Sequence, residues 1–505
     1  MQTKLRLIQI IIFTLTSLTA YSQKDYEIEV RIPALKDSSI ILGHYEAKLY
    51  IVNDTIRLGR KGIGVFKGKR ALPEGMYFIF LPTHKYFDIL VGKNQKFSIT
   101  ADTTNFIKTV KVKDSDENQL FYGYQNQVVE KRELVTTLLE KKKKSKSQEQ
   151  KDSIDKTLDD INLEMKSFIQ KQLSEHQGLF FATFLKALQE IEVPDAPRDS
   201  GGKITDSTYQ YRYYRAHYFD NFNLADARLF KTPLFEEKLN NYIEKVVPQI
   251  PDTLIVEVDA IFEKVNGDST IFRYILGSML NYFYSSQIMG MDAVFVHIAE
   301  KYYIPHASWS NEAFIEKLKK EVAKKKPNLI GEIAPNINLI MIPPDHFMAA
   351  QTDTTLKSNP YVGTPITIES IKARFLVVVF WETDCGHCKK AIPLLYDSIY
   401  LKIRTLGAEV LAVHMISSVE GKRKWIDFVN DHGMYEWINA WSPYSYDYKD
   451  LYDAYLTPTI YILDSNKRII AKHIGIEQIE DVLSFEPRKN SNNFNDEKID
   501  EAGKL

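Results

Sequence analysis

All the cysteine of this 505-residue chain stands in one tetrapeptide, Cys385-Gly386-His387-Cys388, directly behind the apolar run from Phe375 to Trp381. No disulfide framework can staple such a chain together, so each domain must hold itself by apolar packing. The seven-residue run, rich in Val and Phe and closed by Asp384 and Gly386, predicts a buried strand. The pattern from Cys388 onward is helical. Two thiols three residues apart at a strand-to-helix junction are arranged to form and break one disulfide. A structural role is disfavoured, because a bridge across two intervening residues closes almost no loop.

The N-terminus bears on the redox setting. Lys4 and Arg6 precede an apolar stretch from Leu7 to Leu18, followed by Ala20-Tyr21-Ser22, which is the pattern of a secretory signal peptide ending at Ser22. A bilayer-spanning helix needs roughly 20 apolar residues, and this stretch is shorter. No cysteine follows it to carry a lipid. The expectation is an exported, periplasmic chain with no transmembrane span after cleavage.

Charge excludes little but points away from polyanions. The 65 Lys+Arg nearly balance 66 Asp+Glu, and removing Lys4 and Arg6 with the signal leaves 63 against 66, a net of −3. Nucleic acid is not an expected partner. The one basic block, Lys141 to Lys144 with Lys146, reads as a solvated turn between two helices.

Pattern separates the rest into a multidomain chain: residues 23–113, 114–330, 331–485 and a tail, 486–505, expected to be disordered. The first region alternates with period two and is broken by Pro33, Gly43, Gly59, Pro73, Gly75 and Gly92, which predicts an antiparallel, sandwich-like β-domain. The second is all-α. Residues 116–140 and 151–176 carry Leu134, Leu138, Leu158, Ile161, Met165, Phe168 and Ile169 at helical spacing and predict a hairpin. Further helices are expected at 180–191, 207–222, 234–247, 270–286 and 311–325. The Tyr-rich run 209–218 is read as core packing rather than a stacking surface for a ligand. In the third region strands at 375–381, 409–415, 459–463 and 468–473 alternate with helices at 388–404, 421–431 and 477–483, giving an α/β fold with a mixed sheet.

The segment Phe380-Trp381-Glu382-Thr383-Asp384-Cys385-Gly386-His387-Cys388, continuing through Pro393, resembles the active-site segment of thioredoxin-fold proteins. The lead-in Gly331 to Asn336 is similar to the start of the exported TlpA-like branch. Leu456-Thr457-Pro458-Thr459, with the strand to Leu463, resembles the cis-proline loop of the same family. The earlier regions resemble modules ahead of such domains in exported proteins of Bacteroidota-type bacteria.

The resemblance implies a thiol-disulfide oxidoreductase with no cofactor beyond the redox-active pair Cys385 and Cys388. Cys385 would be the nucleophile and Cys388 the resolving thiol. Trp381, Thr457 and Pro458 would contact substrate. Gly386, His387 and Asp384 would tune the pair: a histidine that stabilises the thiolate makes the disulfide more oxidising, and a neighbouring carboxylate opposes it. Lys389 and Lys390 pull with the histidine. Partners would be periplasmic thiol or disulfide proteins and a membrane electron donor or acceptor, with reduction favoured by the family.

Two positions depart from that family. Its buried strand acid falls at Val379, and the Glu that several TlpA-like reductases carry falls at Ala391, so Glu382 or water must serve Cys388. A thiol peroxidase would need Thr or Ser where Glu382 stands and Pro where Val378 stands. A metal site would need a distant ligand such as His414. The rival from another class is a non-enzymatic binding or assembly protein whose β and helical regions capture a partner, with a vestigial redox domain.

Overall fold

The computed structural model describes residues 25–265, 269–357, 359, 362–443 and 447–492, so the expected signal segment lies outside the described residues. The chain divides into two compact units, Met1–Val247 with Glu263–Ile271, and Pro248–Phe262 with Phe272–Leu505.

In the first unit, eight strands form two four-stranded sheets. They are β1 (Tyr26–Arg31), β2 (Ser39–Glu46), β3 (Leu49–Arg57), β4 (Ile63–Gly68), β5 (Gly75–Phe80), β6 (Tyr86–Val91), β7 (Lys96–Thr100) and β8 (Lys111–Lys113). One sheet has the order β4-β1-β7-β8 and the other β3-β2-β5-β6. Alternation buries Ile28, Val30, Phe97 and Ile99 from the first and Ile40, Leu42, Tyr77 and Ile79 from the second. The domain is not wholly antiparallel, because β1 pairs with β7 in parallel. Period two fixes which face is buried but says nothing of strand direction. Gly43 sits at a bulge in β2, where a Cβ would come within 2.3 Å of the Phe78 ring.

The expected hairpin is Asp116–Lys144 and Gln148–Glu175, with Ser115 and Ser147 as N-caps. The basic block is the last turn of the first helix rather than a loop, where four ammonium groups meet the negative end of the helix dipole. Its first turn ties the helix to neighbouring elements. Asn118 exchanges hydrogen bonds with the Leu90 backbone at 2.8 and 2.7 Å, and the Glu117 carboxylate accepts from the N–H groups of Phe180 and Phe181 at 2.8 and 2.6 Å. Helix Phe180–Ala187, which has no side-chain cap of its own, is thus capped from 63 residues away.

The Tyr-rich run is not core. None of the residues of helix Tyr209–His217 is fully buried, and its rings stack along their own helix, Tyr213 on His217 at 4.2 Å. Only Tyr218, just beyond it, is inside. Helical spacing places aromatics on one stripe, but what covers the stripe is a tertiary matter.

The second unit takes in most of the helices from Pro251 onward as well as the expected C-terminal region. Pro251–Val265 and Met291–Ile298 were not expected. Pro251 reads as a loop residue, yet it occupies the first position of its helix, where proline is well tolerated. Helix Glu312–Lys325 follows at the expected place.

Seven strands make the remaining sheet: β9 (Asn338–Met341), β10 (Thr364–Thr367), β11 (Phe375–Trp381), β12 (Ala408–His414), β13 (Ile438–Trp441), β14 (Thr459–Leu463) and β15 (Ile469–Lys472). The order is β10-β9-β13-β12-β11-β14-β15. Strands β11, β12 and β13 are parallel, while β14 and β15 run antiparallel. β9, β10 and β13, four residues each, are too short to show a period. Every residue of β11 is buried, Val377, Val379 and Trp381 in a core that includes the helices and Leu376, Val378 and Phe380 in a second core on the other face, covered by irregular chain such as Ala334, Ile371 and Tyr452. That explains the unbroken apolar run. The last helix, Ile479–Asn492, enters the stretch expected to be a disordered tail, and Ile479 and Leu483 anchor its first turns.

Candidate active site

The site lies where β11 ends. Its chain passes from buried Trp381 through Glu382, Thr383 and Asp384, the Cys385 N–H donating to the Glu382 carbonyl at 3.3 Å, and enters helix Cys388–Leu394. The two sulfurs are not joined. Cys385 is half-buried and Cys388 has no exposure. The Cys388 N–H donates to the Cys385 sulfur at 3.4 Å, so the first turn of the helix points an unpaired donor at the outer thiol. Pro393 is inside the helix, which goes on as a wider turn, Leu395–Tyr400, and then Leu401–Thr405.

From the other side comes the loop before β14. The Thr457-Pro458 peptide is cis, and the Thr457 carbonyl accepts from the Cys385 thiol at 3.2 Å. Residues 72 apart in sequence therefore meet at the sulfur.

The two thiols are electrostatically unlike. For Cys385, burial opposes ionisation, but hydrogen bonds from the Thr457 side chain and from the Cys388 and His387 backbone outweigh it, and its pKa is lowered. For Cys388, burial dominates; the Glu382 backbone only partly offsets it, and the thiol is pushed up to about 12. Cys385 is the more readily ionised of the two.

Several expected roles are corrected. Trp381 is fully buried and makes ring contacts with His414 and Phe428, so it supports the site and does not touch substrate. His387 is exposed, and its backbone is among the groups that lower the Cys385 pKa. Asp384 is held by Lys424 at 3.1 Å, which places a cation beside the charge expected to oppose the thiolate. The Glu382 carboxylate faces Lys449 at 3.6 Å, and only its backbone is among the groups acting on Cys388. Gly386 has open space where a Cβ would stand. Val379 and Ala391 belong to the apolar packing around the site.

One supporting residue had no assigned part in exchange. His414, at the end of β12, is completely buried; its Nε2 accepts from the Thr383 N–H at 3.4 Å, and its ring stacks on Trp425 at 5.3 Å with planes 3° apart. Burial pushes its pKa down to about 3 against a weaker upward pull from Asp384, so it is a neutral acceptor. It fixes the residue two before Cys385. Sequence separation of 31 hides the pairing, and the only signal is a polar residue ending an apolar strand. No group of three or more metal-ligating side chains occurs among the described residues.

Three parallel strands extended by an antiparallel pair, with the Cys-X-X-Cys segment at the end of the central strand and a cis-proline loop opposite, decide the fold. It is thioredoxin-like. The β-rich domain and the helical region precede this thioredoxin-like domain. Residues 26–121 match the model of a domain of unknown function (DUF4369), and residues 138–330 that of a second (DUF5106). No curated protein matches the chain. Among solved structures, a domain of a possible thiol-disulfide isomerase from Cytophaga hutchinsonii is 31% identical, with a TM-score of 0.27; the match covers 32% of this chain and 97% of that one. A thioredoxin-like protein from Bacteroides caccae is 20% identical over 59% of this chain and 99% of its own, with a TM-score of 0.41. The thioredoxin domain of a thiol-disulfide oxidoreductase from Bacteroides vulgatus is 19% identical over 31% and 95%, with a TM-score of 0.24.

Proposed function

We propose that this protein is an exported, periplasmic thiol-disulfide oxidoreductase of the TlpA-like kind, exchanging the Cys385–Cys388 pair with cysteines of client proteins. The observation that carries the reading is the split between the thiols: an accessible Cys385 with lowered pKa beside a buried Cys388 at about 12. Exchange needs one thiol to attack and a second to stay protonated until the first is engaged.

In the reducing direction, which the TlpA-like resemblance favours, the Cys385 thiolate attacks a client disulfide, and one client sulfur leaves as thiolate. That thiolate takes the Cys388 proton. Cys388 then attacks the Cys385 sulfur, forming the Cys385–Cys388 disulfide and expelling the second client thiolate. Two electrons pass to the client, and a membrane electron donor returns them. Thr457 and Pro458 flank the outer sulfur on the side where an extended client segment would lie. Asp384, Gly386 and His387 set the surroundings of the thiolate, the first through its pair with Lys424 and the last through its backbone.

A Cys388→Ser variant of the full chain is expected to accumulate mixed disulfides with exported proteins through Cys385. No adduct under conditions where the wild-type pair is reducible would refute the reading. Unchanged cellular function after both cysteines become serine would favour a binding or assembly protein.

A further inference from the structure

We propose that the end of helix Glu312–Lys325, with Asn328 just past it, is a positioning device for the loop that carries Thr457 to the Cys385 sulfur. The helical region would then set the exchange properties of a pair it does not touch. This rests on the exchange reading of Cys385 and Cys388.

The contacts converge on one short stretch. Lys324 Nζ lies 2.8 Å from Asp453 Oδ1, and Lys325 Nζ lies 3.7 Å from Oδ2 of the same carboxylate. The Lys324 ammonium also stands 4.1 Å from the centre of the Tyr455 ring, a cation–π distance. The Asn328 amide donates to the Leu451 carbonyl, and its own backbone carbonyl accepts from buried Lys472 at 2.5 Å. Leu451, Asp453 and Tyr455 are thus all gripped within the few residues before Thr457.

Alternation shows why a second grip is useful. Tyr452 and Ala454 point into the thioredoxin-like core, and the Tyr452 hydroxyl is bonded to the Pro335 carbonyl. Asp453 and Tyr455 point the other way, toward the lysines. Asp453 has φ of 46°, in the left-handed region that a non-glycine residue keeps only where its surroundings hold it. Beyond Tyr455 the chain has only Leu456, which is 83% exposed, before reaching Thr457. Fixing residue 455 therefore fixes the approach of Thr457, whose side chain and carbonyl both meet Cys385.

The charged and titratable groups acting on Asp453 are Lys324, Lys325 and His473, with Lys472 and Tyr461 also coupled to it. Burial of that carboxylate is outweighed by the lysines. Releasing the grip should let Thr457 drift and weaken the hydrogen bond that its hydroxyl donates to the Cys385 thiolate. The reduced pair would then be less stabilised and the disulfide a weaker oxidant.

The test uses the full chain with Lys324→Met, Lys324→Arg and Asp453→Asn. Met keeps most of the stem, and Asn keeps access to the left-handed backbone while losing the charge. The Cys385–Cys388 equilibrium is read against glutathione buffers, and the Cys385 thiolate is titrated by ultraviolet absorbance. Lys324→Met and Asp453→Asn should shift the equilibrium toward the disulfide by about threefold and raise the Cys385 midpoint, with Lys324→Arg close to wild type. If Asp453→Asn fails to fold, the Lys324 pair still decides. Folded variants with wild-type equilibrium and midpoint would overturn the proposal. Failure of Cys388→Ser to trap clients would sink the exchange reading alone, because the thiolate midpoint still reports whether the lysines position Thr457.

Discussion

Replacing His414 by Phe should change the pH dependence of stability more than stability itself. The folded imidazole has its pKa pushed down to about 3 from an ordinary 6.5, because protonation would put a charge among Trp381, Trp425 and the end of β12. Between those values the unfolded chain binds a proton that the folded chain refuses. Stability from this group is therefore fully present above pH 6.5 and is lost as pH falls toward 3. From pH 7.5 to 4.5 the loss is about 2.6 kcal/mol, set almost wholly by the ordinary histidine value since both points lie above the folded one. Phe keeps a ring to stack on Trp425 and cannot titrate, but it leaves the Thr383 N–H without its acceptor, which costs about 1–2 kcal/mol at every pH. The variant should be the less stable protein at pH 7.5 and match or overtake wild type at pH 4.5. Urea unfolding followed by tryptophan fluorescence suits the test, because Trp381, Trp425, Trp437 and Trp441 lie in the thioredoxin-like domain and Trp309 belongs to the same compact unit. Carboxylates titrate in both proteins and cancel in the difference. A gap between the two that stays constant with pH would refute a neutral, buried His414.

Other expectations follow from the same geometry. In Cys388→Ser the alkylation of Cys385 by iodoacetamide should rise with pH to a midpoint below the ordinary thiol value of 9.0, whereas in Cys385→Ser the buried Cys388 should stay nearly inert through pH 10; equal profiles would contradict the division of roles. Lys472, almost fully buried, is paired with Asp292 and the Asn328 carbonyl, so Lys472→Ala should cost about 3 kcal/mol in urea unfolding by stranding a carboxylate, and a loss below about 1 kcal/mol would show the pair to be solvated.

How much could be read in advance follows from how local each cause is. The buried strand, the thiols at its end and the helix after them are adjacent in sequence, and an unbroken apolar run needs only a sheet covered on both faces to become β11. The loop at Thr457 and Pro458 was legible as a signature. Whether Trp381 faces a substrate or packs beneath the site is not a local property, and its complete burial puts it beneath. Around His387 and Asp384 the fold adds what spacing hides: the His387 backbone acts on Cys385, and Lys424, 40 residues away, pairs with the Asp384 carboxylate.

Local pattern was enough for the order of β, helical and α/β segments, for two thiols at the end of a buried strand and for the lack of an acid at positions 379 and 391. These depend on composition and on spacing within a few residues. Which thiol ionises more readily depends on the folded chain, because burial and the contact of Thr457 with Cys385 join residues 72 apart. The tertiary structure also decided that His414 is a neutral prop for Thr383, and that Lys324, Lys325 and Asn328 reach the loop before Thr457. Burial and charge at a point in space are sums over everything that surrounds it, and a linear chain does not state its neighbours.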